Sequence, residues 1–63
     1  MSARNYVGMY RDEAIRKALL EDGATKVRVA FEDGKVLATK TNTDPERLNF
    51  RVEDGIITDQ AYG

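Results

Sequence analysis

The chain contains no cysteine, no histidine and no tryptophan, and it has a single proline among its 63 residues. Without cysteine it can form no disulfide, and it offers neither a thiolate nucleophile nor a zinc ligand of that type. Without histidine it lacks the usual general base and the commonest metal ligand at neutral pH. We therefore expect no metal site and no cofactor, and a domain this small must be stabilised by its own hydrophobic core or by a partner chain.

Charge of neither sign dominates, because ten basic and eleven acidic residues are spread along the chain and give a net charge of −1. Nothing resembles a basic face for a phosphate backbone, and no apolar run approaches the length of a membrane span. We expect neither a nucleic-acid partner nor a membrane. The first residues, M-S-A-R-N-Y, lack the apolar core of a signal peptide, which favours a cytoplasmic location. A secreted or periplasmic location is the alternative if a signal peptide has been removed.

A single domain over residues 1–63 is expected, beginning with a loose arm at residues 1–5. From Arg11 the pattern R-D-E-A-I-R-K-A-L-L-E-D-G predicts a helix. Its apolar residues recur at the spacing of one helix face, namely Ala14, Ile15, Ala18 and Leu19. Gly23 follows the last periodic residue and is predicted to be the C′ residue of the helix.

Two later segments alternate in the manner of strands with one buried face. Residues 26–31 are predicted to direct Val27, Val29 and Phe31 to one side, and residues 48–52 do the same with Leu48, Phe50 and Val52. An Asp-Gly turn follows each segment, and the second turn predicts a hairpin with a strand that starts at Ile56. The predicted class is α/β, or α+β in stricter usage, with one helix packed on a small mixed sheet of three strands.

Two strand arrangements remain open. The first, which is implied by the family resemblance described below, has residues 26–31 and 48–52 running parallel and linked by a long exposed loop. In the second, a simple meander, residues 36–39 pair back on residues 26–31 through the first Asp-Gly turn, a turn that this dipeptide favours.

The acidic pairs at residues 12–13, 21–22, 32–33 and 53–54 are candidates for acid–base chemistry. Catalytic carboxylates need a cleft and perturbed pKa values, whereas these pairs stand at predicted helix ends and turns, where acids have local roles. A nucleophile could only be Ser2, a threonine, a tyrosine or a lysine, and no partner base accompanies any of them. We assign no catalytic residue and do not expect an enzyme.

The polar segment at residues 39–46 is long for so small a domain, and it leads through Pro45 directly into the strand at residues 48–52. An ordinary surface connection is one interpretation of this segment. The other is a presented loop, with Arg47 placed to reach back to loop oxygens through its fork of donors.

Two segments together resemble the potato inhibitor I family of serine-protease inhibitors and its bacterial and fungal relatives. The first, V-G-M-Y-R-D-E-A at residues 7–14, is similar to the Val-Gly, three residues and acid-acid-Ala that begin the family's only long helix. The second, P-E-R-L-N-F-R-V-E-D-G-I-I-T at residues 45–58, is similar to the relatives' Pro-Asp-Arg-Leu-Asn, acidic turn and isoleucine strand. The relatives' terminal glycine corresponds to Gly63.

The resemblance implies a loop that enters the active site of a subtilisin- or trypsin-like serine protease as a pseudo-substrate and is cleaved very slowly. The reactive-site loop would comprise Thr39, Lys40, Thr41, Asn42, Thr43 and Asp44. Arg47 matches the loop-bracing arginine of the family, and Asn49 stands where the relatives carry asparagine. Counting back from Arg47 makes Thr41 the primary specificity residue, whereas matching Thr39 to the family's supporting threonine makes it Lys40.

A different class of function is the alternative, namely a small non-inhibitory interaction or assembly domain with the same fold. The loop is longer than is usual in the family, and the disulfide that the relatives usually carry is absent. An unprotected edge strand on a small core also makes a homodimer plausible.

Overall fold

The computed structural model describes residues 5–37 and 44–63, which form one helix and four strands. These elements are α1 (Arg11–Leu20), β1 (Lys26–Glu32), β2 (Lys35–Val36), β3 (Arg47–Glu53) and β4 (Ile56–Tyr62). The strands make one mixed sheet in the order β2-β1-β3-β4. The expected α+β class is confirmed. The expected three strands are wrong, because the short strand β2 adds a fourth.

Like β3, the strand β1 is central in the sheet and pairs on both of its edges. It runs parallel to β3, with Val27 opposite Leu48 and Val29 opposite Phe50. It also pairs antiparallel with β2, although only over Phe31 with Val36 and over the next pair at the turn. The two arrangements left open by the sequence are thus both present in part, because β2 and β3 occupy opposite edges of the same strand.

Both Asp-Gly turns are two-residue hairpin turns with positive φ at each central residue. The φ angles are 51° and 83° at Asp33 and Gly34, and 53° and 76° at Asp54 and Gly55. This is the pattern of type I′ turns, whose twist matches that of the flanking strands. Because β1 and β3 are parallel, the two turns lie side by side, and the Asp33 carboxylate accepts a 2.7 Å hydrogen bond from the Asp54 N–H. Asp33 therefore has a structural role.

The core lies between α1 and one face of the sheet. Its buried residues come from the N-terminal arm, here residues 5–10, and from α1, β3 and β4. They are Tyr6, Ala14, Ala18, Leu48, Phe50, Val52 and Ile57. The Tyr6 ring meets Phe50 edge-on at 5.5 Å between centroids. The alternation predicted for β3 is confirmed, since all three of its predicted inward residues are buried.

The N-terminal arm runs beside the outer edge of β4. The Gly8 N–H donates to the Ile57 carbonyl at 2.8 Å, and the Ile57 N–H donates to the Met9 carbonyl at 2.9 Å. The Tyr6 N–H donates to the Gln60 side chain. Backbone groups at this edge of the sheet are thereby paired within the chain, which protects that part of the edge from other strands. The arm was predicted to be loose over residues 1–5, and of these only Asn5 is among the described residues.

The helix α1 packs on the core mainly through two alanines. Ala14 and Ala18 are fully buried, whereas Leu19 is 42% exposed, so placing Leu19 on the buried face was wrong. The two alanines lie four residues apart on one helix face, and Ile15 packs beside them against the core as a partly buried residue, whereas Leu19 is not among the residues packed there. Gly23 has the positive φ expected near a helix end, at 77°, but it lies one residue beyond the C′ position because Glu21 is the C-cap.

Phe31 is not where the alternation predicts it. The register between β1 and β3 shifts between Val29 and Phe31, so that Phe31 is paired with Arg51 instead of with an inward residue. The Arg51 guanidinium lies 4.2 Å from the centroid of the Phe31 ring. Since Arg51 alternates with the buried Phe50 and Val52, it projects from the sheet face that α1 does not cover. The β-bulge therefore moves Phe31 out of the core.

Alanine replacements of the two phenylalanines should have unequal effects. Phe50→Ala should lower the free energy of unfolding by about 3–5 kcal/mol, because it leaves a cavity in a small core. Phe31→Ala should cost about 1 kcal/mol or less, because it removes a partly exposed ring and one cation–π contact. Urea denaturation followed by circular dichroism measures both. Equal losses would contradict the position assigned to Phe31.

Candidate functional site

The candidate site lies where β1 and β3 begin, at the end of the sheet opposite the two turns. The parallel register places Lys26, the first residue of β1, opposite Arg47, the first residue of β3. Residues 37–46 connect β2 to β3 and so lead to this point. The connection starts at Leu37, whose N–H donates to the Ala30 carbonyl at 3.0 Å. The predicted reactive-site residues Thr39, Lys40, Thr41, Asn42 and Thr43 lie outside the described residues, and Asp44 lies within them.

Asp44 joins the connection to both neighbouring strands. One carboxylate oxygen contacts the Lys26 ammonium at 2.5 Å, and the other accepts a 3.0 Å hydrogen bond from the Glu46 N–H. Its carbonyl accepts a further 3.0 Å hydrogen bond from the Arg47 N–H. The turn through Pro45 is thus closed by Asp44 itself, as is typical of aspartate two residues before a donor N–H.

The pKa values of this pair are displaced in opposite directions. The hydrogen bond from Lys26, followed by the one from the Glu46 N–H, lowers the pKa of Asp44. The same contact with Asp44 raises the pKa of Lys26. Both displacements follow from a charged hydrogen bond that favours the ionised form of each group. At neutral pH the two groups form an ion pair, and because the Lys26 side chain is 54% exposed, dissolved salt screens it.

Arg47 and Asn49, the two predicted loop supports, converge on Gly63. The Arg47 Nε–H donates to the backbone oxygen of Gly63 at 3.1 Å, and the Asn49 side-chain amide donates to the same oxygen at 3.0 Å. The Gly63 N–H in turn donates to the Arg47 carbonyl at 3.0 Å. The end of β4 is thus fastened beside the first residues of β3. Support of the loop itself by these two side chains stays a prediction.

Three residues that contact Asp44, Arg47 or Asn49 were not among the sequence-based site candidates. They are Lys26, Arg28 and Gly63. The Arg28 Nε–H donates to the Asn49 side-chain oxygen at 2.7 Å, which fixes the orientation of the amide. The signal that could have identified Lys26 and Arg28 is the parallel register. Residues that face each other across β1 and β3 can be identified only once the two strands are aligned.

The sheet face away from α1 carries a shallow depression of about 190 Å³. It is lined by residues from β1, β3 and β4, among them Phe31, Asn49, Arg51 and Asp59. Its walls are mainly apolar, and Asn49 is one of the polar residues that line it. The depression therefore belongs to the same face of the sheet as the Asn49 side chain.

A hydroxyl and a carboxylate meet elsewhere in the chain, but in a structural setting. The Tyr6 hydroxyl donates to the Asp22 carboxylate at 2.6 Å. Tyr6 is only 2% exposed and packs on Phe50, so the hydroxyl is not accessible to a substrate. This bond ties the N-terminal arm to the end of α1.

Within residues 5–37 and 44–63, no three acidic, histidine or cysteine side chains come together as a metal-binding group. The single helix of this part of the chain is too short and too polar to cross a bilayer.

Asn49 can be tested by two substitutions. Asn49→Ala should lower the free energy of unfolding by about 1–2 kcal/mol, because it removes bonds to Arg28 and Gly63 at a partly buried position. Asn49→Asp, which has the same shape, should be at least as harmful, because it directs a carboxylate oxygen at the Gly63 carbonyl. Thermal and urea unfolding measure both variants. A neutral Asn49→Asp would contradict the assigned orientation of the amide.

The ion pair of Lys26 and Asp44 should contribute fully to the free energy of unfolding only within a defined range of pH. Since the pKa of Asp44 is lowered on folding, its contribution is complete above the unfolded value of about 3.9 and is lost as the pH falls through the folded value. Since the pKa of Lys26 is raised, its contribution is complete below about 10.4 and is lost as the pH rises through the folded value.

The difference in unfolding free energy between the native chain and Asp44→Asn should therefore be constant between about pH 5 and pH 9 and should shrink in acid. NMR titration of the Asp44 carboxyl carbon measures its pKa directly. A folded-state pKa at or above the unfolded value would contradict the contact with Lys26.

Comparison with known proteins leaves the family of the chain open. No protein-family model, no curated protein and no solved structure matches the chain. The likeness to potato inhibitor I therefore rests on the segments at residues 7–14 and 45–58, and no matching protein indicates the function.

Proposed function

We propose that the chain is a serine-protease inhibitor that presents residues 39–45 to the protease active site as a pseudo-substrate. The observation that carries this proposal is the fastening of Asp44 to the starts of both β1 and β3, through Lys26 and through the turn at Pro45. A connection held at the junction of two parallel strands is suited to presentation. An ordinary surface connection would not need an ion pair to the neighbouring strand.

The physical benefit of such fastening is preorganisation. A loop that is already held near its bound shape loses little conformational entropy when it docks, so more of the contact energy appears as affinity. Fastening also matters after cleavage, because a leaving amine that stays in place can attack the acyl-enzyme and restore the peptide bond. Arg47 and Asn49 contribute by fixing the first residues of β3 to the end of β4.

Specificity in this proposal depends on which residue enters the primary pocket. Lys40 suits a trypsin-like pocket, whose acid binds a cation, and Thr41 suits a small or shallow pocket such as that of a subtilisin-like enzyme. Both residues belong to the proposed reactive-site loop, and both are kept as candidates.

A second candidate function is a non-inhibitory interaction domain, including a homodimer. The observation that favours it is the exposure of two apolar residues at one edge of the sheet. Val36, on the short edge strand β2, is 61% exposed, and Leu37, directly after β2, is 54% exposed. An exposed apolar edge can accept a strand from another chain. The same loop could also contact a partner without acting as a pseudo-substrate.

Titration against trypsin, chymotrypsin and subtilisin tests the proposal, with mass spectrometry of each mixture. We expect stoichiometric inhibition of one enzyme, with slow cleavage at one bond within residues 39–45. If Lys40 is the primary residue, Lys40→Ala should abolish inhibition of trypsin. Lys35→Ala, which replaces an exposed lysine on β2, is the matched control and should inhibit as the native chain does.

Rapid, repeated cleavage within residues 39–45 without any loss of protease activity would reject the inhibitor. Analytical ultracentrifugation of the same preparations tests the second candidate, for which a dimer that Val36→Lys dissociates is the expected result.

A further inference from the structure

The sheet face turned away from α1 carries two opposite charges side by side. Arg51 on β3 and Asp59 on β4 are directly opposite each other in the antiparallel register, and both line the shallow depression of this face. Both residues are exposed. Another cross-strand pair of the same hairpin, Asn49 with Ala61, lines the depression as well. These four residues form the open hairpin face.

Both strands that flank Arg51 are bulged at its level. The pairing of β1 with β3 leaves out Ala30, and the pairing of β3 with β4 leaves out Thr58. The Thr58 hydroxyl donates to the Arg51 carbonyl at 3.2 Å. Bulges redirect side chains and are common beside functional sites. Two bulges around one exposed arginine therefore point to a surface contact at Arg51.

Arg51 and Asp59 are not engaged with each other. The Arg51 guanidinium lies 4.2 Å from the centroid of the Phe31 ring, and the part of the chain that the structure describes contains no ion pair between Arg51 and Asp59. Asp59 Oδ1 accepts a 2.8 Å hydrogen bond from the Gln60 N–H, which leaves Oδ2 for another donor. A stacked guanidinium keeps the N–H groups at its rim for a carboxylate. Each of the two groups can therefore pair with an opposite charge from another molecule.

We propose that the open hairpin face binds a second copy of this chain, around a two-fold axis that runs along the strands between β3 and β4. Such an axis places Arg51 of each copy opposite Asp59 of the other copy, so that the same contact occurs twice. It also places Asn49 opposite Ala61, whose small side chain lets the two sheets approach. The charges of this face are thus complementary to themselves, whereas a partner of a single charge sign would be repelled by one of the two residues.

A second copy also suits the size of the domain. In a chain of 63 residues the core lies between α1 and one face of the sheet only. Two open faces packed together make a sandwich of two sheets with a helix on each outer side, which buries side chains from both facing surfaces. A small domain gains stability from such a partner. The proposal is independent of protease inhibition and uses a surface other than the β2 edge.

Complementary charge reversals provide the test. Arg51→Glu gives the open hairpin face two acids and Asp59→Lys gives it two bases, so neither variant should dimerise with itself. A mixture of the two should form a one-to-one heterodimer, since each acid then meets a base at both contacts. Arg16→Glu makes the same charge change at an exposed position of α1 and is the matched control. Sedimentation velocity over a range of concentrations measures assembly, and circular dichroism shows whether each variant is folded.

We expect the native chain to dimerise reversibly. Each reversal variant alone should have a dissociation constant at least about tenfold higher, because like charges then face each other at both contacts. The mixture should regain most of the native affinity, and Arg16→Glu should match the native chain. An ion pair within one chain would not produce the heterodimer, because each variant chain carries only like charges on this face.

A milder variant keeps the test decisive if a reversal prevents folding. Asp59→Asn removes the charge without changing the shape, and it should raise the dissociation constant about fivefold, because two exposed pairs are lost.

A native chain that stays monomeric at the highest concentration reached would overturn the proposal. A dimer that persists unchanged in both reversal variants would do the same. If Val36→Lys dissociates the dimer and the reversals do not, the contact lies at the β2 edge and the open hairpin face is rejected. Protease titration of the same preparations reports on inhibition separately, so each proposal can fail without the other.

Discussion

The parallel pairing of β1 with β3 is the constraint on which the rest of the molecule depends. It places the inward residues Val27 and Val29 of one strand beside Leu48 and Phe50 of the other, and so forms the floor on which α1 packs. It sets the two Asp-Gly turns side by side at one end of the sheet. At the other end it brings Lys26 next to the start of β3. A parallel pair needs a crossover connection, and here that connection carries the proposed reactive-site loop.

The features that the sequence predicted correctly are those that depend on residues close together in the chain. The alternation of β3, the two Asp-Gly turns and the helix from Arg11 were all predicted, because periodicity and turn chemistry act over a few residues. Phe31 was misplaced because the bulge depends on pairing with a strand 20 residues further on, and the alternation of Val27 and Val29 continues through it without any mark. Leu19 was misplaced because helical periodicity indicates a face but not where along the helix its burial ends, and in α1 the packed residues are Ala14, Ile15 and Ala18.

The sequence predicted the site residues of the connection and of β3 but not their partners elsewhere in the chain. Arg47 and Asn49 could be singled out because they follow the polar segment directly and because the resemblance to potato inhibitor I includes them. Their contacts with Arg28 and Gly63 could not be predicted, although Gly63 belongs to the resemblance, since each partner is distant in sequence and becomes a neighbour only through the strand register. The same holds for Lys26. Sequence periodicity indicates which face a side chain occupies, whereas the identity of its partner depends on how the strands are aligned.

The Lys26–Asp44 pair is partly exposed, so we expect it to act on the adjoining connection and not on the stability of the whole domain. Exposed ion pairs contribute little to global stability, so this contact is a poor way to hold a small domain together. Local opening, however, involves free energies well below that of global unfolding, and it is local opening that would release the flank of the connection. A contact worth only a few-fold in an equilibrium can therefore govern how often the flank of the connection opens while the core, built on Phe50 and its neighbours, remains folded.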